Sequence, residues 1–190
     1  MDFKDYQKTS LKHLTTCKVM LESMDILVSQ STALINDENK KKALLHNMFY
    51  LSGYTLESII NYSIFKHFKW SEPTIYVTDH KFSTRSGISF YANTGRLVGN
   101  GSYTFWMSQH NFQRNIQILS KALPASKIPL IDKTIKIDND LIQLYNSWQI
   151  EMRYHPQDTT YNNIVLSEDN VKRFVGLTEI IYNNLMKTVG

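Results

Sequence analysis

The chain has 190 residues, 42% of them hydrophobic and 12% aromatic, with a net charge of +4, which supplies a core at the size of one ordinary domain and excludes a globally disordered polymer. Its single cysteine, Cys17, excludes an internal disulfide and fits a reducing compartment. No apolar run approaches the roughly 20 residues that span a bilayer, and Met1 to Asp5 mixes charge signs without an apolar leader core, so the expectation is a cytoplasmic protein with no membrane association.

Taken in chain order, residues 5–30 place Tyr6, Leu14, Cys17, Met20, Leu21, Met24, Leu27 and Val28 at three/four spacing with lysines interleaved, which predicts an amphipathic first helix. After a polar break, Asp37 can cap a second helix running to about Phe68. It carries one stripe of Leu44, Met48, Leu51, Ile59 and Tyr62 and another of Phe49, Leu56, Ile60 and Ile64, the mark of a central helix. Gly53, which disfavours a helix by ~1 kcal/mol, marks a close helix contact. Lys40 to Lys42 stand where positive charge opposes the helix dipole; they read as a solvated face or as an attractor of phosphate.

From Trp70 to Phe105 the periodicity dissolves, and this stretch holds Pro73 and four of the seven glycines, Gly87, Gly95, Gly99 and Gly101. It reads as a long insertion in which 73–78 and 88–91 can form a small hairpin. Periodicity returns over 106–123 (Phe112, Ile116, Leu119, Leu123), stops at Pro124 and Pro129, and resumes over 138–154 (Leu141, Leu144, Tyr145, Trp148, Met152). Ser167-Glu168-Asp169 opens a last helix that continues through Val171, Phe174, Val175, Thr178, Ile181 and Leu185. The expected fold is all-α: one domain over 1–190, an up-and-down antiparallel bundle of about five helices with one long insertion between helices two and three.

The segment Tyr50 to Ile60, in which Gly53 and Tyr54 precede the acidic Glu57, resembles the second-helix signature of HEPN domains. His110-Asn111-Phe112 with Ile116 and Leu119 is similar to that family's third helix, and Trp148 to Tyr154 to the end of its fourth. The resemblance implies a helical bundle that commonly dimerises. It also implies an RNA-directed toxin or defence component, in many members a metal-independent ribonuclease, often beside a nucleotidyltransferase-type partner protein; other members are non-catalytic. The ribonucleases carry an Arg, then four to six intervening residues, then a His. Here the arrangement is Arg153-Tyr154-His155, with one residue between.

As a catalytic pair, His155 would shuttle the proton of a ribose 2′-hydroxyl and Arg153 would neutralise charge on the phosphorane-like transition state, with Tyr154 contacting the substrate. Two residues of helix separate side chains by roughly 200°, but Pro156 disfavours the helical conformation at His155, which can then turn back. A dimer would bring two such pairs to one groove. The other reading makes Arg153 structural: Glu57 falls among apolar neighbours, a buried carboxylate requires a partner, and the Arg153 fork can grip it in two places. In the insertion, His80, Lys81, Arg85 and Arg96 are interleaved with Phe82, Phe90, Tyr91 and Tyr103, which suits phosphate contact with base stacking or docking on the bundle or on a second protomer. No histidine spacing resembles a metal-ligand motif, so neither metal nor cofactor is expected. Residues 106–137 are basic and 138–190 acidic, a balance that fits RNA or protomers that pair complementary faces. Two functions stay open: an RNA-directed ribonuclease, and a non-catalytic helical module for dimerisation or partner binding.

Overall fold

The described residues form five α-helices, α1 (Phe3–Ser29), α2 (Glu38–His67), α3 (Phe112–Ala122), α4 (Asn139–Ser147) and α5 (Glu168–Val189), with a 3₁₀ turn at Ile150–Tyr154. The computed structural model describes residues 3–29, 38–67, 82–83, 89–91, 96–98, 104–106, 110–122, 137–154 and 166–189, the strands by their backbone alone. The fold class is the all-α bundle expected from the periodicity.

Helix α2 lies at the centre, packed against α1, α3, α5 and the 3₁₀ turn. Every residue from Thr55 to Phe65 is buried, as its two apolar stripes require. Several of the polar residues this encloses are hydrogen-bonded within the helix: Thr55 and Ser63 donate their hydroxyls to the carbonyls of Leu51 and Ile59.

The partners of α1 run down α2 as its own numbering runs up. Tyr6 stacks on Phe65 with ring centroids 5.9 Å apart, His13 meets Tyr54 at 5.6 Å, and the Cys17 thiol donates to the Met48 carbonyl at 3.5 Å, so α1 and α2 are antiparallel. Helix α5 is antiparallel to α1 by the same test, Lys18 pairing with Glu179 and Asp25 with Lys172. A charged chain crosses three helices: Lys41 of α2 binds Glu168 at 2.9 Å, Lys172 binds Glu168 at 3.0 Å, and Lys172 binds Asp25 at 2.7 Å. Lys41 therefore stands in an ion-pair network and not on a freely solvated face. The first turn of α5 is capped as its sequence predicts, the Ser167 hydroxyl accepting from Asn170 N at 3.2 Å.

Between α2 and α3 the order changes. Glu57 meets His110 and, four residues on, Asn61 meets Asn115, so these contacts advance in the same sense along both helices and strict alternation is interrupted there. The long connection contains a four-stranded antiparallel meander, β1 (Phe82–Ser83), β2 (Ser89–Tyr91), β3 (Arg96–Val98) and β4 (Thr104–Trp106), paired in that order. Of the expected hairpin, residues 89–91 are a strand; residues 73–78 lie outside the described residues.

Two helix boundaries differ from the periodicity. Trp106 is in β4, opposite Arg96, and α3 starts at Phe112, because the Asn111 side chain caps it by accepting from Arg114 N at 2.8 Å. Helix α4, capped by Asp138 Oδ1 on Leu141 N at 3.1 Å, ends at Ser147 and not at Tyr154. Trp148 then turns extended, with ψ of 130°, buries its ring against α2, and donates its indole N–H to the Tyr50 carbonyl at 3.0 Å.

That ring lies on Gly53, where a Cβ would overlap the indole atoms Nε1, Cε2 and Cδ1, whereas one at Gly176 would meet nothing within 4 Å. Gly53→Ala is expected to lose about 1–3 kcal/mol to overpacking, and Gly176→Ala to gain up to ~1 kcal/mol of helix propensity. Urea denaturation midpoints moving in opposite directions would bear this out; equal midpoints for both variants and wild type would refute the indole contact.

Candidate functional site

Gly53, Glu57 and Asn61 are spaced one helical turn apart and so form a single stripe of α2. Each receives a different guest: Trp148 on Gly53, His110 on Glu57, Asn115 on Asn61. The Asn61 and Asn115 amides are both buried and bond at 2.7 Å, Asn115 Nδ2 donating to Asn61 Oδ1. Gln113 Nε2 ties α3 to the end of α4 by donating to the carbonyls of Tyr145 at 2.8 Å and Trp148 at 3.2 Å. With Asn111 capping α3, these bonds fix where the preceding residue, His110, must sit.

His110 Nδ1 lies 3.2 Å from Glu57 Oε1. The two partners differ in solvation: the Glu57 side chain is 7% exposed and that of His110 49%. Burial pushes the Glu57 carboxyl up to about 8, since an ionised carboxylate there is stripped of water. Its second oxygen, Oε2, has no hydrogen-bond partner among the described residues. Tyr6 on α1 is pushed up to about 12, first by its own burial and then by the Glu57 charge. A neutral, buried carboxyl joined to a half-exposed imidazole can store and pass a proton.

Sequence reasoning identified Glu57 as a buried carboxyl and missed His110 as the group bonded to it. The two are 53 residues apart across the insertion, and no local period links them; the one available signal was Asn111 as a helix cap. Arg153 and Tyr154 lie in the 3₁₀ turn against α2, with Tyr154 74% exposed. His155, Lys81, Arg85 and the side chain of Arg153 lie outside the described residues. Arg96 stands in β3 opposite Tyr91 and Trp106 by its backbone. Among the described residues no group of three or more His, Cys, Asp or Glu could hold a metal ion, and no described helix is long and apolar enough to cross a membrane.

The raised carboxyl gives stability a definite pH dependence. The ordinary value for Glu57 is 4.5 and the folded value about 8, so within that window the folded chain holds a proton that the unfolded chain has released. Stability is fully present below the window and falls as pH rises through it. Desolvation lowers His13 and His67, which affects the acid side, so the useful range is about pH 6.5 to 8.5. There wild-type stability is expected to fall with a slope of up to about 1.4 kcal/mol per pH unit, the limit for one proton, and Glu57→Gln to flatten it. Wild-type urea midpoints that stay flat across this range, as in Glu57→Gln, would mean that the carboxylate is already ionised in the fold. In comparisons with known proteins, no family model, no curated protein and no solved structure matches the chain.

Proposed function

We propose that this chain is a HEPN-like helical module that acts by pairing with a second copy of itself through α1. The observation that carries this is an apolar stripe left outside the bundle: Leu11, Val19 and Ile26 are 51%, 53% and 54% exposed. Their separations of eight and seven residues put them on one helical face, with Thr15 and Glu22 between. The N-terminal half of α1 carries Lys8 and Lys12 and its C-terminal half Glu22, while Lys18 and Asp25 are engaged with Glu179 and Lys172 of α5. An antiparallel pairing of two such helices therefore sets unlike charges opposite each other, Leu11 against Ile26 of the copy, and Val19 near the two-fold axis. A homodimer is also what the HEPN resemblance implies.

A second reading is favoured by one observation. The exposed Tyr154 ends the 3₁₀ turn between Arg153 and His155, and aromatic side chains are what single-stranded bases stack on. On that reading the protein is an RNA-directed, metal-independent ribonuclease of a cytoplasmic toxin or defence system, working beside a nucleotidyltransferase-type partner. Arg153 and His155 do the chemistry, and Lys81, Arg85 and Arg96 hold the RNA backbone.

Light scattering on the purified chain at high concentration is expected to give the mass of a dimer, and Val19→Glu that of a monomer with unchanged helix content. A monomeric wild type would overturn the pairing. RNA incubated with chelator and with wild type or His155→Ala separates the two readings: cleavage lost in the variant supports the ribonuclease, and no cleavage by either protein leaves the module.

A further inference from the structure

We propose that Glu57 and His110 form an acid–base site in which the protonation of the buried carboxyl decides whether the outer nitrogen of the half-exposed imidazole gives or takes a proton. The inference concerns the protein's chemistry and does not rest on pairing through α1.

With the ring neutral, the geometry allows two arrangements of the same bond. With Glu57 neutral, its hydroxyl donates to His110 Nδ1 across the 3.2 Å contact. Nδ1 is then the acceptor, the ring's own proton sits on Nε2, and the site presents a donor. With Glu57 ionised, the carboxylate accepts from Nδ1–H, Nε2 is left with a bare lone pair, and the site presents an acceptor. The change releases one proton to solvent, from the carboxyl, and relocates the ring proton from Nε2 to Nδ1; nothing else is gained or lost. As a donor the site suits an oxyanion such as a phosphate oxygen, and as an acceptor it suits a hydroxyl to be deprotonated.

Three features support it. The Glu57 carboxyl is desolvated while nearly half of the His110 side chain is exposed, so the proton is stored inside and its consequence is read outside. Glu57 Oε2 has no partner among the described residues, and desolvation places the carboxyl's titration at about 8. His110 is held in register by the Asn111 cap and by Gln113 and Asn115, so the bond can reverse direction without helix movement.

The groups of the described residues that bear on the pair come from four elements. From α1, Tyr6 faces Glu57 and stays neutral through this range, its hydroxyl being raised to about 12. From α3, Arg114 is exposed beyond the cap. The charged residues Glu168, Lys172, Arg173 and Glu179 of α5 are engaged with Lys41, Asp25, Asp138 and Lys18. The 3₁₀ turn packed on α2 includes Arg153; a guanidinium bound to Glu57 would keep the carboxylate ionised and lock His110 as the Nδ1–H tautomer.

Nitrogen-15 NMR of labelled protein reads the state of each ring nitrogen, with His110→Asn identifying the His110 signals among the six histidines. From about pH 7 to about pH 10, Nε2 of His110 is expected to pass from protonated to bare as Nδ1 does the reverse, and in Glu57→Gln the inversion is expected to vanish. A wild-type His110 that keeps one tautomer across the range overturns the proposal, as does an inversion that persists unchanged in Glu57→Gln. The wild-type titration decides the matter alone where Glu57→Gln does not fold.

Discussion

The fold depends on the burial of α2 on every side from Thr55 to Phe65. A helix that no longer touches water must satisfy its polar groups from within or from neighbours aimed at specific positions. Thr55 and Ser63 turn back to their own backbone, Asn61 takes Asn115, and Gly53 is empty so that an indole can lie on the helix and reach the Tyr50 carbonyl. Gly53, Glu57 and Asn61 thus work as three sockets on one stripe, and the segments that fill them are held in place by that stripe more than by their own propensity. Helix α3 is short, with Asn111 capping it and Asn115 locked one turn in; helix α4 stops where Trp148 must leave the helical path to reach its socket.

Glu57 is the socket that does not close. An apolar residue there would be cheaper than a carboxyl whose charged form is desolvated, and an amide would match the Asn pair below it. The carboxyl instead meets a ring that is half in water, which leaves the bond's direction undecided by packing. At Asn61 the side-chain oxygen accepts from Asn115, whereas at Glu57 one oxygen has no described partner. This is where local rules of burial are broken, and such places are where a fold's chemistry is to be sought.

Much of the fold was legible in the sequence because three helices bury stripes long enough to express their period. Helices α1, α2 and α5 appear where Leu14, Cys17 and Met24, the double stripe of α2, and Ser167 followed by Val171, Phe174 and Ile181 place them. The ends of α3 and α4 were less legible. Trp106 and Trp148 both fall in phase with a helix, yet one lies in a strand and the other caps α4 in extended form, since apolar phase does not distinguish a helical turn from a single large ring placed by tertiary contact. The site was half legible: Glu57 stood out as an acid among apolar neighbours, but the imidazole bonded to it enters from across the insertion, and pairing over such a distance leaves no periodic trace.

Helix α1 shows how the bundle separates its tasks. One face, Leu14, Cys17 and Met24, is buried, the Cys17 thiol reaching α2; beside it Lys18 and Asp25 reach across to Glu179 and Lys172 of α5. A surface helix with only those neighbours would complete its circumference with polar side chains. In its place stand Leu11, Val19 and Ile26, each more than half exposed and each on the side away from α2. Scattered apolar residues on a surface mean little, but three in one line, on a helix whose other faces are already engaged, are what a helix with one more neighbour than the chain supplies would carry. Lys18 and Asp25 are drawn toward α5, while Glu22 stands exposed on the line between Val19 and Ile26. In the pairing proposed through α1, that face meets the second copy, while His110 bonds to Glu57 of α2 and takes no part in it.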